Sequence, residues 1–116
     1  MATIAVTARA SSTSDTDVYT FSTQAIGTAD GTRYVLVGAA TRGLAAPFTI
    51  SGITIGGSAA TQHVLSEVTN TNLCCIYGLA VPTGTTTEVI VTFTAAVARC
   101  QIIVATITGG INSASF

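Results

Sequence analysis

The sequence predicts an all-β protein: a single β-sandwich of about eight strands, laid out as a jelly roll or as an immunoglobulin-like Greek key. Three observations predict it. Thr (22), Val (11) and Ile (11) supply 44 of the 116 residues, and β-branched side chains suit a pleated, half-buried surface. Apolar residues recur with period two, and no window carries a convincing 3.6-residue period. Gly, Pro and Asn clusters cut the alternating runs into pieces of strand length. Many short strands with turn signals between them make a sandwich or a barrel. The immunoglobulin Cys…Trp…Cys pattern is absent because there is no Trp. Alternation alone leaves the connectivity open.

The elements follow in order. Over Thr3 to Arg9, Ile4, Val6 and Ala8 share one face. Ser11 to Asp17 is the most polar run and reads as an exposed loop. Asp17 to Ser22 sets Val18 and Thr20 against Tyr19 and Phe21. Asp30-Gly31 signals a turn, and Arg33 to Thr41 (RYVLVGAAT) is apolar enough to be a central strand. Phe48 to Ser51 is a short strand after Pro47, which Ile53 and Ile55 extend or follow. Gly56-Gly57 turns the chain into Ala60 to Val68, where Gln62, Val64, Ser66 and Val68 oppose His63, Leu65 and Glu67.

After the Asn70 to Asn72 turn, Leu73 to Val81 (LCCIYGLAV) is apolar on both faces, as a central sandwich strand should be. Pro82 to Thr85 is a turn. Thr86 to Thr94 places Thr87, Val89, Val91 and Phe93 on one face, and Arg99 to Thr108 is the last strand. The twenty residues from Val68 to Thr87 are uncharged and long enough to span a bilayer. Their Asn, Gly, Pro and Thr content reads instead as strand, turn and strand. One domain over residues 1–116 is expected, with 110–116 as a C-terminal tail.

Composition narrows the function. Charged residues are 8% of the chain, against about 25% in an ordinary soluble domain. There is no Lys, and the four cations are Arg9, Arg33, Arg42 and Arg99. Nucleic-acid binding needs clustered positive charge, and a membrane surface attracts polybasic segments; neither partner is expected. The N-terminus has no charged region ahead of its apolar residues, so no signal peptide is expected. Cys74, Cys75 and Cys100 are odd in number and lack metal-type spacing. Free, mostly buried thiols in a reducing cytosol follow.

Catalytic chemistry is sparse, and no enzyme is expected. His63, the single histidine, stands on an alternating strand beside Ser66 and Glu67, with no nucleophile elbow around any serine. Glu67 and Glu88 read as solvent-face residues that protect strand edges. Asp15-Thr16-Asp17 lacks the further oxygen ligands that Ca²⁺ takes, so no metal or cofactor is expected. Tyr34 and Tyr77 lie in apolar strands and read as core, which leaves Tyr19 as the one candidate for a sugar-stacking platform.

The surface carries the positive signal. Nine formal charges cover a whole domain, and Lys is the residue type most depleted at interfaces. A Thr/Ala/Gly surface also costs little side-chain entropy to order. Much of this surface is therefore expected to meet other protein. The contact candidates are Asp15, Asp17 and Tyr19, with Arg33 and Arg42 near strand ends, where the loops of a sandwich gather. Ile111 and Phe116 give the tail an apolar start and finish and are candidates for an anchor.

Three stretches carry a resemblance: Ala25-Ile26-Gly27-Thr28-Ala29-Asp30 with Arg33 and YVLVGAA; Ile53-Thr54-Ile55-Gly56-Gly57 with Ala59-Ala60-Thr61; and Tyr77-Gly78, Ala80-Val81-Pro82-Thr83-Gly84, TEVIVTFT and Arg99-Cys100. In this order the chain resembles a family of small β-domain proteins encoded by tailed bacteriophages of marine and other Gram-negative hosts, over roughly Thr20 to Gly109. The resemblance implies a virion structural role, on the capsid exterior or in tail and fibre proteins, with no catalytic residues to carry over. The chain ends soon after its last strand, which favours a stand-alone component. The leading expectation is a capsid cement, or decoration, protein. It would be made in the host cytoplasm and be a homo-oligomer on the virion, against the major capsid protein and copies of itself. The alternative is a tail or fibre-tip module that recognises a host surface glycan or protein.

Overall fold

The computed structural model describes residues 2–44, 46–68 and 70–110. Among them the chain forms eight strands and no helix: β1 (Thr3–Ser12), β2 (Thr16–Ala25), β3 (Tyr34–Gly43), β4 (Ile50–Ile55), β5 (Ser58–Ala59), β6 (Thr61–Val68), β7 (Asn72–Ala80) and β8 (Thr86–Thr108). All pairings are antiparallel. The proposed tail anchors Ile111 and Phe116 lie outside the described residues.

β8 organises the molecule. Its 23 residues would span roughly 75 Å if straight, yet the longest dimension of the protein is 45 Å. The strand therefore bends, around residues 94–99. Its first half pairs with β2 and β4, and its second half with β1 and β3. Its inward side chains change parity at the same place. Val89, Val91, Phe93 and Val97 are buried before the bend, and Cys100, Ile102 and Val104 after it.

The sequence reading of two strands, ending at Thr94 and restarting at Arg99, is thus corrected. Ala95, Ala96, Val97 and Ala98 hold no Gly, Pro, Asn or Asp, and small side chains let a strand bend without leaving its ladder. The neighbours do break at the bend. β1 gives way to β2 through residues 13–15, and β3 to β4 through residues 44–49. Gly43 marks the second exit. A methyl there would sit 2.4 Å from Phe48 Cε1 and 2.8 Å from the Asn70 carbonyl, so only glycine fits.

The result is a larger sheet, β6-β7-β3-β8-β1, and a smaller one, β5-β4-β8-β2, continuous through the bend. One apolar cluster joins their facing sides: Tyr19, Phe21, Ile53, Ile55, Val89, Val91 and Phe93 from the smaller sheet, and Val35, Val37, Leu73, Cys75, Tyr77, Ile102 and Val104 from the larger. β1 to β4 alternate between the two sheets, β4 and β5 form a hairpin in the smaller one, and the chain returns to the larger through β7 before β8 crosses both, which is jelly-roll connectivity, with β6 as an added edge. The immunoglobulin-like layout does not form, because β3 lies between β7 and β8.

The first strand also departs from its reading. Ile4 and Val6 are 67% and 53% exposed, while Ala8 and Ala10 pack against the core. A register shift between Val6 and Ala8 explains this: the extra residue reverses the alternation.

Candidate protein-binding face

Two expected contact residues turn out to hold the fold together. Tyr19 is 3% exposed. Its hydroxyl donates to the Ser14 carbonyl and lies 3.0 Å from the Val97 carbonyl, so it ties the β1–β2 crossing to the bend of β8. Burial holds its phenol above the ordinary range. Tyr19 offers no stacking surface; alternation places it inward with Phe21.

Arg33 is 1% exposed. Its guanidinium donates to six backbone carbonyls at 2.7–3.1 Å: Val81 through Nε, Ile26, Gly27 and Thr28 through Nη1, and Thr83 and Gly84 through Nη2. It fastens the β2–β3 crossover to the β7–β8 turn. Isolated buried charge is costly; here the carbonyl dipoles of two loops take the place of water. Beside it, Asp30 Oδ1 accepts from the Thr32 amide at 2.7 Å and hydroxyl at 2.6 Å. These bonds hold its carboxyl below the usual carboxylate range.

The remaining candidates stay at the surface. Asp15 and Asp17 are exposed at the bend. Among the described residues, no three His, Cys, Asp or Glu side chains come together in a way that could hold a metal ion. Arg42 is exposed at the end of β3. His63 Nε2 lies 2.8 Å from the Tyr34 hydroxyl, whereas Glu67 accepts a hydrogen bond from Thr49 at 2.8 Å. A register shift between Gln62 and Val64 separates the two, so they do not form a charge pair that could serve Ser66. Tyr34 and Tyr77 are buried as expected. Only Tyr77 belongs to the central cluster; the Tyr34 ring lies against Gly78.

What sequence reasoning missed is the outer face of the larger sheet. Cross-strand register lines up Arg9, Ile103, Gly38, Ile76 and Val64 in one row across all five strands. The next row is Ser11, Gln101, Ala40, Cys74 and Ser66. A third holds Arg99, Arg42, Asn72 and Val68. Ile103, Ile76, Val64 and Val68 are 47%, 39%, 51% and 62% exposed, and Val6 stands at the β1 margin. Cys74 is exposed too, a correction to its expected burial: Cys75 takes the inward position, so its neighbour must point out.

The signal was present in LCCIYGLAV, which is apolar on both faces. That pattern was read as a central sandwich strand; one of its sides is open.

Charge is segregated on this face. Among the described residues, Arg9, Arg42 and Arg99 are its only charged ones. The acids lie elsewhere: Asp15 and Asp17 at the bend, Asp30 in a turn, Glu67 on the reverse side of β6 opposite Leu73, and Glu88 on the smaller sheet. At one corner a cleft of about 390 Å³ opens between Ser11, Ser12 and Thr13 on one side and Arg42, Arg99 and Gln101 on the other.

No family model matches the chain, and no curated protein sequence matches it. Among solved structures it is similar to the EclA C-terminal domain, a sugar-binding protein, at 12% identity and a TM-score of 0.48, over 93% of this chain and 77% of that one. A likeness at that level carries no argument about this chain's ligand.

Proposed function

We propose that this chain is a non-enzymatic bacteriophage virion structural protein, a capsid cement protein that docks on the assembled shell through the outer face of its larger sheet. The observation that carries the reading is the uncovered aliphatic row Ile103–Ile76–Val64, with Val6 and Val68 beside it. A contiguous exposed apolar patch on a small domain marks a surface that meets another macromolecule. Fully burying one such side chain contributes about 1.5–3 kcal/mol, which must offset the freedom lost on docking.

The low charge of the chain and the phage-family resemblance name the kind of partner: the major capsid protein, with neighbouring copies of this chain. A protein that binds only the assembled lattice stabilises that state by mass action. The fibre-tip alternative, recognition of a host glycan or protein, had Tyr19 as its candidate stacking ring, and that ring is buried.

Quantitative mass spectrometry of purified particles tests the reading. A cement protein is present in numbers comparable with the shell subunit. A few copies per particle, fractionating with the tail, would overturn it.

A further inference from the structure

Arg42 and Arg99 are direct partners across β3 and β8. Directly opposed residues project from the same face with Cβ atoms about 4.5–5.5 Å apart, and like charges so placed destabilise the pairing. Both are exposed, and among the described residues neither is in an ion pair. Among the described residues no acid lines their cleft; its other polar side chains are Ser11, Ser12, Thr13, Thr41, Cys100 and Gln101. Of these, Thr41 already donates its hydroxyl to the Arg99 carbonyl, while the other hydroxyls and the Gln101 amide can donate a hydrogen bond. Two unpaired guanidiniums and several neutral donors thus converge on one space. Among the described residues, no acidic side chain offsets that repulsion.

We propose that the Arg42–Arg99 cleft receives a carboxylate of the partner protein, at the rim of the apolar face. The inference rests on the reading of that face as the docking surface. Guanidinium pairs carboxylate in a two-pronged geometry and tolerates desolvation better than an ammonium does. An apolar centre with a polar, charged rim is the ordinary anatomy of a protein interface.

A nucleic-acid phosphate fits less well. Such ligands need a stripe of cations, and here three exposed arginines border aliphatic side chains. A second copy docked face to face fits less well still, because it would set three arginines against three. The partner surface is therefore an apolar patch flanked by Asp or Glu.

Rebinding to particles stripped of the protein tests this, with wild type, Arg42→Gln, Arg99→Gln and Ile103→Ser compared by pelleting and by thermal melting of the free proteins. Each Gln variant should bind about tenfold more weakly, the loss of one charge-assisted pair. Each should melt at or above the wild-type temperature, because repulsion has been relieved. Ile103→Ser should also bind more weakly. If the Gln variants bind like wild type while Ile103→Ser does not, the docking face stands and the carboxylate site is wrong. If Ile103→Ser also binds like wild type, the docking reading itself has failed. Gln variants that melt well below wild type would make the arginines structural and overturn the proposal.

Discussion

Arg33 shows how a functional-looking residue can be structural. A lone arginine beside a turn invites a role at the surface, yet its guanidinium meets six carbonyls from two loops. Replacement by Met should cost about 3–5 kcal/mol, the scale for breaking a buried charged network, because it leaves those carbonyls without donors. Arg33→Lys should recover only part of the loss, since one ammonium cannot supply the planar fork. Urea denaturation checks both; a Lys variant as stable as wild type would contradict the account.

The stretches that carry the phage resemblance include both of these loops, residues 25–30 and 80–84. In this chain those residues build the carbonyl cage around Arg33, which was legible as a motif though not as a mechanism. No local pattern tells that Arg33 reaches Val81 and Gly84, some fifty residues away.

The thiols are also decided residue by residue. Burial pushes Cys75 up to about 11 and Cys100 up to about 12, so both stay protonated and shielded at neutral pH. Cys74 is exposed. A thiol reagent should therefore titrate one group quickly in the native protein and all three after unfolding. Burial also raises the phenols of Tyr19, Tyr34 and Tyr77 above 10.0. The folded state holds these protons more tightly than the unfolded chain does. Stability should then be intact below about pH 9 and fall as pH rises through 11 to 12. A urea midpoint that stays level from pH 8 to pH 12 would contradict this.

At the scale of elements, strand existence was legible and strand parity was not. Period two finds the strands because backbone geometry imposes it. It cannot say which parity points inward where one extra residue reverses the set, as between Val6 and Ala8 in β1 and between Gln62 and Val64 in β6. The bend of β8 was missed for a related reason. Two partners on each side specify it, and none is local to residues 94–99.

Close contacts make one element-level expectation sharp. A methyl at Gly78 would sit 2.4 Å from Tyr34 Cε1. Gly78→Ala should therefore cost about 1–3 kcal/mol from overpacking, and most of that cost should vanish in a Tyr34→Ala background. Equal costs in both backgrounds, measured by thermal unfolding, would show that the ring is not the obstacle.

For the whole molecule, composition was the most informative guide. A chain with nine charged residues was expected to give much of its surface to other protein; what the structure adds is that Ile103, Ile76, Val64 and Val68 of the larger sheet are exposed. Its connectivity could not be read from the sequence, because the jelly-roll order is set by pairings such as Tyr34 with Ile107 and Thr3 with Thr108. The candidate site was legible in part: Arg42 was named, whereas its partner Arg99 and the apolar rows emerge only once cross-strand register brings them together.

Docking through this outer face is decided by a cryo-EM map, at side-chain resolution, of the particle that carries the protein. Ile103, Ile76 and Val64 should be buried against the shell, with Arg42 and Arg99 facing acidic side chains. Copies seated by the smaller sheet, with the Ile103–Val64 row open to solvent, would contradict it.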